Sequence, residues 1–141
     1  MTSDATTEGP TPGVLGTVRR ILVVDDDEML REVAKAALEL VGGWQVLTAS
    51  SGVQAQSRAV EERPDAILLD VMMPGMDGPA TVALLRESPS TREIPVIFLT
   101  AKAPTEDIAT WGGLELAGVI PKPFDPMTLA ADMSRLLGWQ K

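Results

Sequence analysis

The chain has 141 residues, 45% of them hydrophobic, with 20 acidic against 12 basic side chains and a net charge of -8. That length allows one domain with a real core and not two ordinary ones. The acidic balance argues against nucleic acid and anionic membrane surfaces as partners, and is most simply a solubility feature. No apolar run approaches the roughly 20 residues of a membrane span, and residues 1–17 lack the basic start and apolar stretch of a signal peptide. A cytoplasmic location is the default expectation. Cys and His are both absent, which excludes disulfides, zinc–thiolate centres and any imidazole supplied by the chain itself.

Residues 1–18 are rich in Thr, Gly and Pro without a period and read as a disordered tail; residues 19–141 read as one domain. A first strand is expected at about Arg20 to Val24. The helix after it, near Glu28 to Val41, repeats Leu30, Val33, Ala34, Ala37, Leu38 and Val41 at three- and four-residue spacing, with Gly42-Gly43 as its stop. A short strand at Gln45–Thr48 leads through Ser50-Ser51 to a helix ending near Arg63, before Pro64. The strand Ala66–Leu69 follows, then a loop from Met72 to Gly78 and a helix with Pro79 in its first turn. Next come the strand Val96–Leu99, a weaker helix from about Thr105 to Leu116, and a strand at Val119–Ile120. Asp125-Pro126 should open a last helix that runs to about Leu137 and stops at Gly138. Five strand–helix repeats predict a doubly wound α/β fold with a five-stranded parallel sheet.

Four of the apolar runs end in polar residues. Ile21–Val24 ends in Asp25, Asp26 and Asp27; Ala66–Leu69 in Asp70; Pro95–Leu99 in Thr100; and Val119–Pro121 in Lys122. Ligand sites in open parallel sheets lie beyond the carboxyl ends of the strands. Neighbouring strands would therefore bring Asp25, Asp26, Asp70, Thr100 and Lys122 to one edge. Carboxylates that close raise one another's pKa unless a cation neutralises them. An oxygen-only donor set favours a hard cation, and Mg²⁺ fits best. An Asp beside Mg²⁺ and a Lys is a plausible nucleophile toward a phosphoryl group. Lys122 would offset charge on the phosphoryl oxygens, and Thr100 could donate a hydrogen bond to one. Taken singly, each residue has an ordinary reading as a cap, a turn residue or a surface charge; their coincidence reverses those readings. Asp27 keeps the ordinary one, a helix cap.

These motifs resemble the receiver domain of bacterial two-component response regulators. They are Ile21-Leu22-Val23-Val24-Asp25-Asp26-Asp27, then Leu68-Leu69-Asp70-Val71-Met72-Met73-Pro74-Gly75-Met76-Asp77-Gly78, then Phe98-Leu99-Thr100-Ala101, then Lys122-Pro123-Phe124. The resemblance spans about Arg19 to Trp139. It implies a flavodoxin-like (βα)5 fold with strand order 2-1-3-4-5. It further implies Asp70 as phosphoacceptor, Mg²⁺ bound by Asp26 directly and by Asp25 directly or through water, and the Met72 backbone carbonyl as a third protein ligand. Lys122 would pair with Asp70 and then with the phosphoryl group, toward which Thr100 would move. A cis bond between Lys122 and Pro123 belongs to the same pattern.

The implied partners are a sensor histidine kinase or a His-phosphotransfer protein, and an output protein meeting the surface of the fourth helix, fifth strand and last helix. Two features depart from the pattern. Many receivers carry Tyr or Phe three positions before the Lys; here that residue is Val119, so the usual aromatic switch loses its support. Gly112-Gly113 weakens the fourth helix, where Ile108 and Trp111 could face a partner but more simply pack. Trp44 and Trp139 read as packing residues at element ends. The last helix ends within three residues of Lys141, which leaves no room in this chain for a DNA-binding module and suggests a stand-alone receiver. Alternatives are a binding module that works without phosphorylation, and a Mg²⁺ phosphatase. The phosphatase is disfavoured because Asp70-Val71-Met72 lacks the Asp-x-Asp pattern.

Overall fold

Runs of apolar residues with no polar alternation form strands only where both faces of a sheet are covered, and that is how this chain folds. The computed structural model describes residues 18–101 and 112–139. In chain order the elements are β1 (Arg20–Val24), α1 (Glu28–Leu40), β2 (Gln45–Ala49), α2 (Gly52–Glu62), β3 (Ala66–Asp70), α3 (Gly78–Glu87), β4 (Val96–Thr100), a 3₁₀ turn (Gly112–Leu114), β5 (Gly118–Pro121) and α4 (Leu129–Leu137). The five strands are parallel, in the order β2-β1-β3-β4-β5, which is the expected 2-1-3-4-5.

Because alternate strand residues point to opposite faces, the sheet divides the core in two. Leu22, Val24, Ile67, Leu69, Val96 and Phe98 pack against Ala55 and Ala59 of α2 and Val82 and Leu85 of α3. Ile21, Val23, Ala66, Leu68, Ile97 and Leu99 pack against Ala34, Ala37 and Leu38 of α1 and Leu129, Ala130 and Met133 of α4. Helix starts are set by side-chain caps. Asp27 accepts from the Met29 and Leu30 amides at 3.0 and 3.3 Å, Ser51 from Gln54 at 3.1 Å, and Asp77 from Ala80 at 3.0 Å. Trp44 and Trp139 do lie at element ends, and they meet edge to face with ring centroids 5.3 Å apart. The Arg19 guanidinium stacks 4.2 Å from the Trp139 ring centre, so the start of β1 is tied to the end of α4.

Three expectations change. Val33 and Val41 are exposed rather than part of the core face of α1; Val33 sits at the flank of the stripe and Val41 is one residue past the helix. The last helix begins at Leu129, not after Asp125. Asp125 instead closes a separate turn, accepting from Met127 N at its side chain (2.9 Å) and from Thr128 N at its carbonyl (3.0 Å). The fourth helix does not reach Leu116: Gly112–Leu114 is a 3₁₀ turn and Glu115 takes a left-handed φ of 57°, which an α-helix cannot continue through. The remainder of that expected helix, with Ile108 and Trp111, lies outside the described residues.

One glycine controls how β3 leaves the sheet. Gly78 N donates to Val71 O at 2.9 Å. A Cβ on Gly78 would stand 2.8 Å from Val71 Cα and 3.0 Å from Asp70 O, both main-chain atoms. Gly78→Ala should therefore destabilise the fold by about 1–3 kcal/mol in urea titrations, whereas a loss below about 0.5 kcal/mol would mean the loop relaxes freely.

Candidate functional site

The register of the sheet decides which polar residues can meet. Val24 pairs with Leu69, Asp70 with Leu99, and Thr100 with Pro121. The strands therefore end together, and the residues just past their apolar runs share one edge. Asp25 N is anchored on Ala49 O at 3.1 Å, Val71 N on Leu99 O at 3.1 Å, and Lys122 N on Thr100 O at 2.8 Å. The Lys122–Pro123 bond is cis.

Carboxylate oxygens of Asp25, Asp26 and Asp70 lie within 4.8 Å of one another. Asp25 and Asp70 are buried, while Asp26 is exposed. Lys122 Nζ reaches both buried acids, at 3.2 Å from Asp25 Oδ2 and 3.1 Å from Asp70 Oδ1. Backbone amides supply further donors: Asp27 N to Asp25 Oδ1 at 2.8 Å and Met72 N to Asp70 Oδ1 at 3.2 Å. Thr100 is fully buried at the end of β4.

Charge and burial conflict at this edge. Burial, helped by the Asp70 charge, pushes the Asp25 carboxyl above its usual range, against the opposing pull of the Asp27 amide and Lys122. Burial alone would depress the Lys122 ammonium, but contact with Asp70 and the attraction of both carboxylates outweigh it and raise the pKa. Asp25 Oδ2 has the Lys122 charge beside it yet receives no well-directed hydrogen bond. An under-satisfied buried carboxylate oxygen, two further carboxylates and no nitrogen or sulfur donor form a set suited to a hard divalent cation.

A family description, the response regulator receiver domain, matches residues 21–134. The chain belongs to this family. Receivers are signalling domains of two-component systems, with an acidic pocket that typically takes Mg²⁺. Among curated relatives, the phosphate regulon transcriptional regulatory protein PhoB of Pseudomonas aeruginosa is 39% identical over 121 residues, covering 84% of this chain and 52% of its own length. The response regulator MprA of Mycobacterium avium is 40% identical over 121 residues, covering 84% and 50%. The chain thus spans about half the length of these relatives. Among solved structures, the chemotaxis protein CheY4 of Vibrio cholerae superposes with a TM-score of 0.79 at 30% identity, over 85% of this chain and 99% of that one. The signal receiver domain of a Syntrophus aciditrophicus histidine kinase gives 0.74 at 35% identity, over 86% and 91%.

The receiver's edge brings Asp25, Asp26, Asp70 and Lys122 together, as the strand-end pattern anticipated, and assigns Asp27 to the α1 cap. Thr100 is joined to the cluster through its carbonyl, which holds Lys122. Sequence reading missed Arg31, whose Nη1 donates to Asp25 O at 2.8 Å; an arginine one turn into a helix belongs to no motif and gave no signal.

The raised Asp25 pKa has a defined sign for stability. A group whose pKa is higher folded than unfolded contributes stability that is complete below its unfolded value, 3.8, and lost as pH rises through the folded one. In metal-free protein Asp25→Asn should therefore raise the melting temperature by a few degrees at pH 7, with the advantage vanishing toward pH 3. A variant less stable than wild type at pH 7 would show that the Lys122 contact outweighs the burial penalty.

Proposed function

We propose that Asp70 accepts a phosphoryl group from a phosphohistidine of a partner histidine kinase or phosphotransfer protein. The receiver unit would span residues 19–141 behind the tail of residues 1–18 and act in the cytoplasm. The observation that carries this reading is a buried carboxylate at a strand end, 3.1 Å from Lys122 Nζ, with two more carboxylates within 4.8 Å.

In the proposed transfer, an Asp70 oxygen forms the new P–O bond as the P–N bond to the donor imidazole breaks; that ring, protonated on its other nitrogen, takes the bonding pair, leaving an acyl phosphate on Asp70 and a neutral histidine on the partner. Among the described residues, the donors to the Asp70 side chain, Met72 N and Lys122 Nζ, fall on Oδ1. Oδ2 has no donor among the described residues and is the better placed nucleophile. Lys122 would shift from Asp70 to a phosphoryl oxygen, and the Thr100 hydroxyl would donate to another. Asp25, Asp26, Asp70 and the Met72 backbone carbonyl would hold Mg²⁺, which when bound neutralises charge on the carboxylates and on the transferring group. Thr100 and Lys122 are joined through the β4–β5 ladder, so a change at the phosphoryl group would pass to the β5 and α4 face, where we place the output contact. Val119, opposite Phe98 in that ladder, leaves this path without an aromatic switch residue.

Phosphoramidate, whose P–N bond mimics phosphohistidine, provides the test alongside a phosphorylated partner kinase. The wild-type chain should gain a single acid-stable, base-labile phosphate by intact mass. Labelling should fall to background in Asp70→Asn and when EDTA removes divalent cations. Undiminished labelling of the Asn variant would reject Asp70, and undiminished labelling in EDTA would reject the metal.

A further inference from the structure

A second polar cavity adjoins the acidic edge, and its chemistry is opposite. It is an open depression of about 360 Å³ lined by Arg31, Thr48, Ala49, Ser50, Gln54 and Arg58. It straddles the carboxyl end of β2, the edge strand. Arg31 enters from α1 on one face of the sheet and Arg58 from α2 on the other. No carboxylate side chain lines it, in a chain whose net charge is -8. We propose that this cavity binds a phosphate group, as free phosphate or on a small organic molecule.

The donors support that ligand class. Arg58 Nε is buried and has no hydrogen-bond partner among the described residues. A buried N–H without an acceptor is a defect, and a small turn of the Arg58 side chain toward an oxyanion in the depression would repair it. Neither arginine belongs to an ion pair among the described residues. Arg31 spends one nitrogen on Asp25 O, which fixes the side chain and leaves its other donors for a ligand. Gln54 Oε1 accepts from both Ser50 N and Ser50 Oγ, at 2.6 and 3.2 Å, so the amide nitrogen of Gln54 remains as a further donor. The cavity also opens at the N-terminal turn of α2, an 11-residue helix whose dipole favours an anion there. Two guanidinium forks from opposite sides suit a tetrahedral dianion better than a planar carboxylate, because phosphate offers more acceptor oxygens to divergent donors. The volume is at the lower end of small-molecule sites, room for a phosphate and a short organic group.

This site is distinct from Asp70, and the two can be separated. In EDTA the acidic edge holds three carboxylates against Lys122 and repels anions. Inorganic phosphate titrated into the ¹⁵N-labelled full chain in EDTA, at constant ionic strength, should then report the basic cavity alone. Saturating shifts are expected at the Ser50 and Gln54 amides and at Arg58 Nε–H. Arg58→Gln should weaken binding about tenfold or more. Arg31→Gln should also weaken it, but Arg31 supports Asp25, so Arg58→Gln is the deciding variant and Arg58→Lys should retain part of the affinity. Glycerol phosphate binding more tightly than inorganic phosphate would assign organic phosphates; the reverse order would assign the free ion. Equal shifts with chloride, shifts centred elsewhere, or an affinity unchanged by Arg58→Gln would overturn the proposal.

Discussion

One ammonium between two buried carboxylates sets the terms for the rest of this molecule. Lys122 Nζ lies 3.2 Å from Asp25 and 3.1 Å from Asp70, at a sheet edge where both acids are buried. Removing the lysine would leave two buried carboxylates uncompensated, which is among the most destabilising changes a fold can suffer, whereas neutralising Asp25 still leaves Lys122 paired with Asp70. The balance is still incomplete: among the described residues three carboxylates share the edge with one lysine, and the Asp25 carboxyl is pushed upward. The edge is therefore poised to take more positive charge or to give up negative charge.

The fold confines this charge to where it is useful. From Ile21 to Val24, Ala66 to Leu69 and Val96 to Leu99 every side chain is buried and apolar, so the sheet interior is uniformly neutral. Parallel register then delivers Asp25 and Asp70 to one level, with Thr100 one residue further along its strand. Close main-chain packing at Gly78 draws the β3–α3 loop back under Asp70, while Arg31 holds the β1–α1 turn through Asp25 O. The same Arg31 lines the basic cavity beside β2, so acidic and basic sites share a wall and any ligand in one bears on the support of the other.

Strand positions were legible because buried parallel strands have a simple signature, four or five apolar residues closed by a polar one. The Asp27 cap was legible for a similarly local reason, since the cap, its acceptor atom and its donors lie within a few residues of each other; Asp77, expected only as part of the loop before α3, caps that helix as well. The end of the apolar face on α1 was not: Val33 and Val41 fit the helical period, but exposure depends on how far the sheet extends beneath them. The start of α4 was missed because Asp125-Pro126 makes a good cap in isolation, and the turn it actually closes competes for the same donors. The segment at Gly112–Leu114 was read as weak helix, but left-handed Glu115 ends regular structure there. Arg31 and Arg58 carried no signal, because each becomes meaningful only when α1 and α2 are folded onto opposite faces of β2.

The most direct measurement is the thermal stability of the EDTA-treated chain as Mg²⁺ is added, with Na⁺ at matched ionic strength as control. A ligand bound only by the folded state at one hundred times its dissociation constant adds about 2.7 kcal/mol. The charge imbalance at the edge predicts a saturable rise in melting temperature with Mg²⁺, absent with Na⁺ and largely lost in Asp26→Asn, whose exposed carboxylate contributes little to the fold itself. Equal responses to the two cations, or an undiminished Mg²⁺ response in Asp26→Asn, would contradict it.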